Sequence, residues 1–146
     1  MEPRLSHLGI AVAAHDEALR FWRDLLGLPL VHTEHVASEG VKVAMLRLGA
    51  HPAGAGGGAV ELLQPDPVAP GSPPNAVAKF LEQRGGGIHH VAFEVDDVAA
   101  LAARLAAGGV RLINEQPRKG AHDTLVVFVH PKSTGGVLVE LVQPAG

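Results

Sequence analysis

Two six-residue segments, one near the start of each half of the chain, alternate apolar and polar or small residues as half-buried strands do. They are HLGIAV (7–12) and HVAFEV (90–95). Aligned on their histidines, the segments carry apolar residues at the same three positions: Leu8, Ile10 and Val12 in one, Val91, Phe93 and Val95 in the other. Because neighbouring side chains of a strand point to opposite faces, His7 and His90 are predicted opposite these apolar faces. His89 is then predicted on the side of the helix.

The ends of the two halves also correspond. VELLQP (60–65) and VELVQP (139–144) are identical at five of six positions, and Glu61 aligns with Glu140. The two histidines are 83 residues apart and the two glutamates are 79 apart, so the offsets nearly agree. This agreement indicates an internal duplication.

Each half has a helical segment after its first strand, with apolar residues at helical spacing. In HDEALRFWRDLLG (15–27) the predicted buried face is Ala18, Phe21, Trp22 and Leu25, with Asp16 near the start and Gly27 past the end. In DDVAALAARLAAGG (96–109) it is Val98, Leu101 and Leu105, with Asp96 or Asp97 as the N-cap and Gly108 at the end. Caps of these residue types are typical of helix boundaries.

The remaining apolar segments predict three more strands in each half. They are 28–36, 40–48 and 59–64 in the first half, and 109–116, 124–130 and 136–143 in the second. We therefore predict an α+β fold with two tandem βαβββ modules, about 4–65 and 87–145, in a single domain spanning 1–146. Residues 66–84 form a proline-rich linker followed by a short helix (76–84), and the glycine-rich segment 49–58 is predicted as a loop.

Composition excludes several classes of function. The 146 residues are 47% hydrophobic with a net charge of −3, and only 3% are aromatic, so a nucleic-acid partner is not expected. With no cysteine, there is no disulfide framework and no Cys-based zinc site. No signal-peptide pattern and no apolar run of membrane-spanning length are present, so we expect no membrane association and a cytoplasmic location.

Four residues at repeat-equivalent positions have side chains that bind metals: His7, Glu61, His90 and Glu140. Each glutamate lies between apolar neighbours, and a carboxylate on the inner face of a sheet is costly unless it is paired or binds a cation. Two imidazoles and two carboxylates suit a first-row divalent ion. The alternative is that each glutamate lies on an edge strand and faces water.

Motifs along nearly the whole chain, from residue 5 to residue 144, resemble the vicinal oxygen chelate superfamily and, within it, the methylmalonyl-CoA epimerases. They are LSHLGIAV, EGVKVAMLRLG, VELLQP, GGGIHHVAFEVDD, PRKGAHDTLVVFVHPK and GGVLVELVQP. The resemblance implies a cupped mixed sheet, a homodimer, and a divalent ion held by His7, Glu61, His90 and Glu140. The implied ion is Co²⁺ first, with Mn²⁺, Ni²⁺ or Zn²⁺ as alternatives.

The implied reaction interconverts (2R)- and (2S)-methylmalonyl-CoA by proton transfer at the α-carbon through an enolate stabilised by the metal. Inversion calls for proton transfer on both faces, and Glu140 and Glu61 are the candidate catalytic residues. Some relatives place a further glutamate at the position of Val43, which cannot move a proton. His122 is a weaker candidate for the second base, and its expected role is to line the pocket mouth or to contact the substrate.

The implied CoA thioester substrate carries phosphates, for which cationic side chains are suitable partners. The candidates are Arg118, Lys119 and Lys132, on loops at strand ends. The alternative is that these residues form a solvated basic surface.

Three other functions remain open at this point. A glyoxalase I-type isomerase would act on a glutathione hemithioacetal with the same ligand types. An extradiol dioxygenase would need iron and a ring-binding pocket, which the few aromatic residues disfavour. A non-catalytic small-molecule binder on the same scaffold would need no metal ligands.

Overall fold

The computed structural model describes residues 2–49 and 57–145. These residues form two compact units: the first unit comprises residues 8–89, and the second unit comprises residues up to 7 together with those from 90 onward. Strand β1 (Arg4–Ala11) therefore begins in the second unit and ends in the first. Most of the predicted glycine-rich loop, residues 50–56, lies outside the described residues.

In the first unit the strands lie in the order β2-β3-β4-β1. Strands β2 (Leu30–Val36), β3 (Val41–Arg47) and β4 (Ala59–Pro65) pair antiparallel. One face of this part of the sheet is apolar and forms a core that contains Ile10, Leu19, Ala44, Leu46, Val60 and Leu62. Met45 lies opposite Glu61 in the register, so Glu61 belongs to the other face.

The helix predicted over 15–27 is interrupted. Helix α1 (His15–Leu19) continues into a π-helical turn (Arg20–Leu25), in which the Leu26 N–H donates to the Phe21 carbonyl oxygen at 2.8 Å. An i to i+5 hydrogen bond widens the turn, so residues spaced for an α-helix leave its buried face.

The predicted apolar face of this helix is consequently only half right. Ala18 and Trp22 pack against the core of the first unit as expected. The prediction is wrong for Phe21 and Leu25, which are 52% and 79% exposed. Asp16 lies in the first turn of α1, but the first N–H of the helix, that of His15, donates to Gln64 Oε1 at 2.7 Å.

Helix α2 (Ala76–Arg84) confirms the short helix that the sequence predicts after the linker. Its N-cap is Asn75, whose Oδ1 accepts the Ala78 N–H at 2.8 Å, and Gly85 ends it with a positive φ. This is the usual pairing of an Asn cap with a left-handed glycine. None of the helices in the described residues has the length and hydrophobicity that crossing a bilayer requires.

In the second unit the strands lie in the order β5-β8-β7-β6. β5 (Gly87–Glu94) pairs parallel with β8 (Val139–Gln143), which pairs antiparallel with β7 (Leu125–Val129); β6 (Arg118–Lys119) is a short antiparallel edge strand. Helix α3 (Val98–Ala107) confirms the predicted second helix and is capped by Asp97. It covers a core that includes Val95, Val98, Ala102, Val127, Val129 and Leu141.

The prediction of a strand over 109–116 is wrong. Only Leu112 makes a single antiparallel bridge, to Val129. The side chain of Asn114 takes the place of strand pairing, because its Oδ1 accepts the Phe128 N–H at 2.8 Å and its Nδ2 donates to the Val126 carbonyl oxygen at 3.0 Å. A side-chain amide can satisfy a strand edge in this way without forming a ladder.

Candidate metal centre

Three strands of the second unit bring together the side chains of two histidines and one glutamate, each with one possible metal-binding atom. The atoms belong to His7 on β1, His90 on β5 and Glu140 on β8, and all lie within 4.8 Å of one another. The His7 and His90 Nε2 atoms are 3.1 Å apart, and Glu140 Oε2 is 3.2 Å from His90 Nε2 and 3.9 Å from His7 Nε2. The three residues are 6%, 5% and 8% exposed. Three of the four predicted ligands therefore form one buried cluster.

The register of β5 and β8 explains how His90 reaches Glu140. Ala92 lies opposite Glu140, and His90 precedes Ala92 by two residues, so all three side chains share a face. The intervening pair, Phe93 and Leu141, packs in the core under α3. The alternation inferred from the sequence is thus present in the folded strand.

His89 lies elsewhere. Its ring meets the ring of Phe80 on α2 edge-on, with 5.1 Å between the centroids. The helix it contacts is α2, whereas the sequence predicted the helix of its own module, and the cluster contains His90 rather than His89.

Burial keeps His7 neutral at neutral pH. Desolvation lowers the pKa of His7 from 6.5 to about 4, and the charges of His90 and His122 act in the same direction, while the Glu140 carboxylate opposes them. A neutral imidazole is the form that binds metals. Ser6 Oγ lies 3.0 Å from His7 Nδ1 in a hydrogen bond, an arrangement that orients the ring so that Nε2 is directed at His90 and Glu140.

The cluster fits a first-row divalent cation. Metal–ligand bonds of ~2.1 Å place neighbouring donor atoms roughly 3 to 3.4 Å apart. Two of the three separations, 3.1 and 3.2 Å, match this range, and the third is 3.9 Å. Imidazole nitrogen with carboxylate oxygen is also the donor set that such ions take.

Glu61, the fourth predicted ligand, is 5% exposed on β4 of the first unit. It shares its sheet face with Met45, its cross-strand partner, and with Val43, two residues away from Met45 along β3. Val43 is 3% exposed. A role for Glu61 as a ligand or a base stays a prediction.

The predicted substrate-binding residues take different positions in the second unit. His122 has a positive φ of 58°, which is rare for a residue with a side chain. Its charge is one of the causes that lower the pKa of His7. The Arg118 guanidinium lies over the ring of Phe128 at 5.4 Å. Lys119 on β6 and Lys132 in the turn Pro131–Ser133 are exposed at the surface.

Sequence reasoning missed Phe128. Its ring meets that of His90 edge-on, with 6.0 Å between the centroids, and it lies directly opposite Glu140 in the β7–β8 register. Strand β7 is LVVFV, apolar on both faces, so alternation alone could not show which residue faces the histidines. Pairing its register with that of β8 was the signal that could have found it.

Known proteins are similar to this chain over most of its length. A model of the Glyoxalase/Bleomycin resistance protein/Dioxygenase superfamily matches residues 6–128. The ethylmalonyl-CoA/methylmalonyl-CoA epimerase of Cereibacter sphaeroides is 37% identical, over 96% of this chain and 97% of the relative.

Two solved structures are similar over the whole chain. A methylmalonyl-CoA epimerase in complex with methylmalonyl-CoA and NH₄⁺ has a TM-score of 0.87 and 37% identity, covering 100% of this chain and 97% of the other. A variant of the Streptomyces coelicolor methylmalonyl-CoA epimerase, in complex with 2-nitronate-propionyl-CoA, has a TM-score of 0.86 and 38% identity and covers 98% of each. The predicted α+β, vicinal oxygen chelate fold is confirmed by these matches.

Proposed function

Since the chain belongs to the Glyoxalase/Bleomycin resistance protein/Dioxygenase superfamily and, within it, to the methylmalonyl-CoA epimerases, we propose that it interconverts (2R)- and (2S)-methylmalonyl-CoA. The observation that carries this proposal is the buried cluster of His7, His90 and Glu140. A chain that needed only to bind a small molecule would have no reason to bury two imidazoles beside a carboxylate.

The cluster is proposed as the site of a divalent cation, with Glu61 as a fourth ligand. When bound, the cation supplies a Lewis acid that stabilises the negative charge developing on the substrate oxygens. Co²⁺ is the ion we favour, and Mn²⁺, Ni²⁺ and Zn²⁺ are alternatives with the same preference for imidazole and carboxylate. His7 and His90 would contribute imidazole nitrogens, and the carboxylates of Glu140 and Glu61 would balance the 2+ charge of the ion.

The α-carbon lies between a thioester and a carboxylate, so removing its proton gives an enolate, whose negative charge the bound cation would stabilise enough for a carboxylate to act as the base. We assign its removal on one face to Glu140, which His90 holds in place at 3.2 Å. Glu61, the repeat-equivalent residue, is the candidate for proton transfer on the other face. In the reverse direction the two residues exchange roles, as an equilibrium between two stereoisomers requires.

The nitronate complex of the Streptomyces coelicolor relative is consistent with this chemistry. A nitronate is planar at the α-carbon and carries most of its negative charge on oxygen, as an enolate does. Planarity matters because a planar α-carbon can accept a proton on either face, and protonation on the opposite face gives the other stereoisomer.

The CoA portion of the substrate needs cationic partners for its phosphates. Arg118, Lys119 and Lys132 are the proposed partners, all exposed in the second unit, and His122 is proposed to contact the substrate nearer the cluster. A homodimer, a cytoplasmic location and a single domain of two modules, 4–65 and 87–145, are proposed on the resemblance to the family.

The proposal is tested by α-proton exchange. The Co²⁺-loaded protein is incubated with one stereoisomer of methylmalonyl-CoA in D₂O, and deuterium at the α-carbon is followed by NMR. We expect exchange together with formation of the other stereoisomer. Glu140→Gln should slow both by about 10²- to 10⁴-fold, the range for loss of a general base.

Glu94→Gln is the matched control, because Glu94 is a partly exposed glutamate of the same unit that pairs with Arg4 at 2.6 Å. It should leave exchange unchanged. If the metal-loaded wild type shows no exchange but isomerises the hemithioacetal of methylglyoxal and glutathione, the glyoxalase alternative replaces the epimerase. Full activity of Glu140→Gln would overturn the assignment of the base.

A further inference from the structure

The imidazole of His90 makes edge-to-face contacts with two other rings and is nearly perpendicular to both. The His7 ring is 5.2 Å away at an interplanar angle of 85°, and the Phe128 ring is 6.0 Å away at 87°. Edge-to-face pairs at these distances are the favoured geometry for aromatic rings. The orientation of His90 is therefore constrained by contacts with two rings.

Phe128 is itself held in place by its backbone. The Phe128 N–H donates to Asn114 Oδ1 at 2.8 Å, and the Phe128 carbonyl oxygen accepts the Ile113 N–H at 2.8 Å. The Asn114 amide also donates to the carbonyl oxygens of Val126 and Gln116, at 3.0 and 2.9 Å. The side chain of Asn114 thereby stabilises the backbone of β7 on both sides of Val127, including at Phe128 itself.

The side chain of Phe128 is held as well. It packs against a small apolar cluster of Ala92, Val126 and Val142 on the same side of the sheet. The Arg118 guanidinium lies over the ring at 5.4 Å, close enough for a cation–π interaction. Because the backbone and the side chain of Phe128 are both held in place, its ring can restrict the orientation of the His90 imidazole that it contacts.

We propose that Phe128 is a positioning residue of the metal centre, which keeps the plane of the His90 imidazole such that Nε2 is directed at the point shared with His7 and Glu140. The inference rests on the proposed function only in that the cluster binds a divalent cation. Groups that orient a metal-binding histidine change metal affinity by roughly 10- to 100-fold when they are removed.

Phe128→Leu tests this, because it keeps an apolar side chain but removes the ring. Phe93→Leu is the matched control: Phe93 lies in the same unit but packs under α3, with Leu141 opposite it in the register. Both substitutions should lower thermal stability. Only Phe128→Leu should weaken Co²⁺ binding, by about tenfold, and shift the visible absorption spectrum of the bound Co²⁺.

Phe128→Tyr is the conservative rescue, because it retains the ring, and it should bind Co²⁺ like the wild type. If Phe128→Leu does not fold, as judged by circular dichroism, Phe128→Met gives the same comparison with a longer apolar side chain.

Two results separate the failure of this inference from the failure of the metal centre. Wild-type affinity and an unchanged spectrum in a folded Phe128→Leu, next to a wild type that binds Co²⁺, would overturn the role of Phe128 alone. A wild type that binds no divalent ion would overturn the metal centre, and this inference with it.

Discussion

The Nε2 atoms of His7 and His90 lie 3.1 Å apart, although the two residues are 83 positions apart in the chain. Two imidazole nitrogens at this distance either share a proton or share a cation, because their lone pairs repel each other otherwise. Glu140 Oε2 stands 3.2 Å from the His90 nitrogen and completes the cluster. The duplication thus places equivalent histidines at one point of the second unit.

The adjacent histidines of β5 allow a direct test of this arrangement. His90→Ala removes a ligand and should weaken Co²⁺ binding by more than about 100-fold, beyond what loss of an orienting group costs. His89→Ala removes the contact with Phe80 and lies outside the cluster, so it should leave the affinity within about twofold while lowering stability slightly. Isothermal titration calorimetry of both variants measures the difference. Equal losses in the two variants would contradict the assignment of the ligand.

The choice between these two histidines could be made from the sequence because a strand has a period of two and its apolar residues identify the covered face. Val91, Phe93 and Val95 fixed that face, and the aligned His7 supported it independently. The duplication also pointed to Glu140 through its match with Glu61. Pattern and repeat were sufficient wherever a residue's environment depends on its own strand.

Two elements could not be predicted, for different physical reasons. The helix after β1 contains a π-helical turn, and a single extra residue in the turn exposes Phe21 and Leu25 without changing the hydrophobic spacing in the sequence. The segment 109–116 has apolar residues but forms no strand, because Asn114 binds the edge of β7 with its side chain. The first feature changes the geometry of the helix without a change in the pattern, and the second depends on a partner 12 to 14 residues away along the chain.

Ser6 gives the second prediction. Its hydroxyl lies 3.0 Å from His7 Nδ1, on the opposite side of the ring from the nitrogen that faces the cluster. Ser6→Ala should weaken Co²⁺ binding by about tenfold, since it removes the partner that orients the ring. Ser72→Ala, at an exposed position in the linker, is the control and should bind like the wild type. An unchanged affinity in Ser6→Ala would mean that the strand alone sets the orientation of His7.

The two modules use the same device to start their helices, which leads to a third prediction. Gln64 Oε1 accepts the His15 N–H at 2.7 Å, and its repeat-equivalent, Gln143 Oε1, accepts the Val98 N–H at 3.0 Å. Each follows its module's glutamate by three residues and joins the end of that strand to the first turn of the helix. Replacing either by Ala leaves a helix N–H without this acceptor.

We expect Gln64→Ala and Gln143→Ala each to lower the free energy of unfolding by about 1 kcal/mol, the usual net contribution of one such hydrogen bond. Gln83→Ala, on the exposed side of α2, should change it by less than about 0.5 kcal/mol. Urea denaturation measures all three. A cost for Gln64→Ala alone would show that Asp97, which caps α3 through the Ala100 N–H, makes Gln143 dispensable.

The last prediction concerns pH and the metal-free protein. Burial lowers the pKa of His7 from 6.5 to about 4 in the folded state. Between these two values the imidazole of His7 is neutral in the folded protein but protonated in the unfolded chain. Well above pH 6.5 the ring is neutral in both states, and its titration does not lower the free energy of unfolding. As the pH falls below that value the unfolded chain binds a proton that the folded protein does not, and stability declines until the folded ring is also protonated, near pH 4. The loss is on the order of 3 kcal/mol.

His7→Gln removes this titrating group, so wild type and variant are compared by urea denaturation at pH 7, 5.5 and 4. The carboxylates other than Glu140, which lies 3.9 Å from His7, titrate alike in both proteins, and the wild type should lose more stability than the variant over this range. Parallel curves would mean that the cluster accommodates a charged imidazole in the absence of metal.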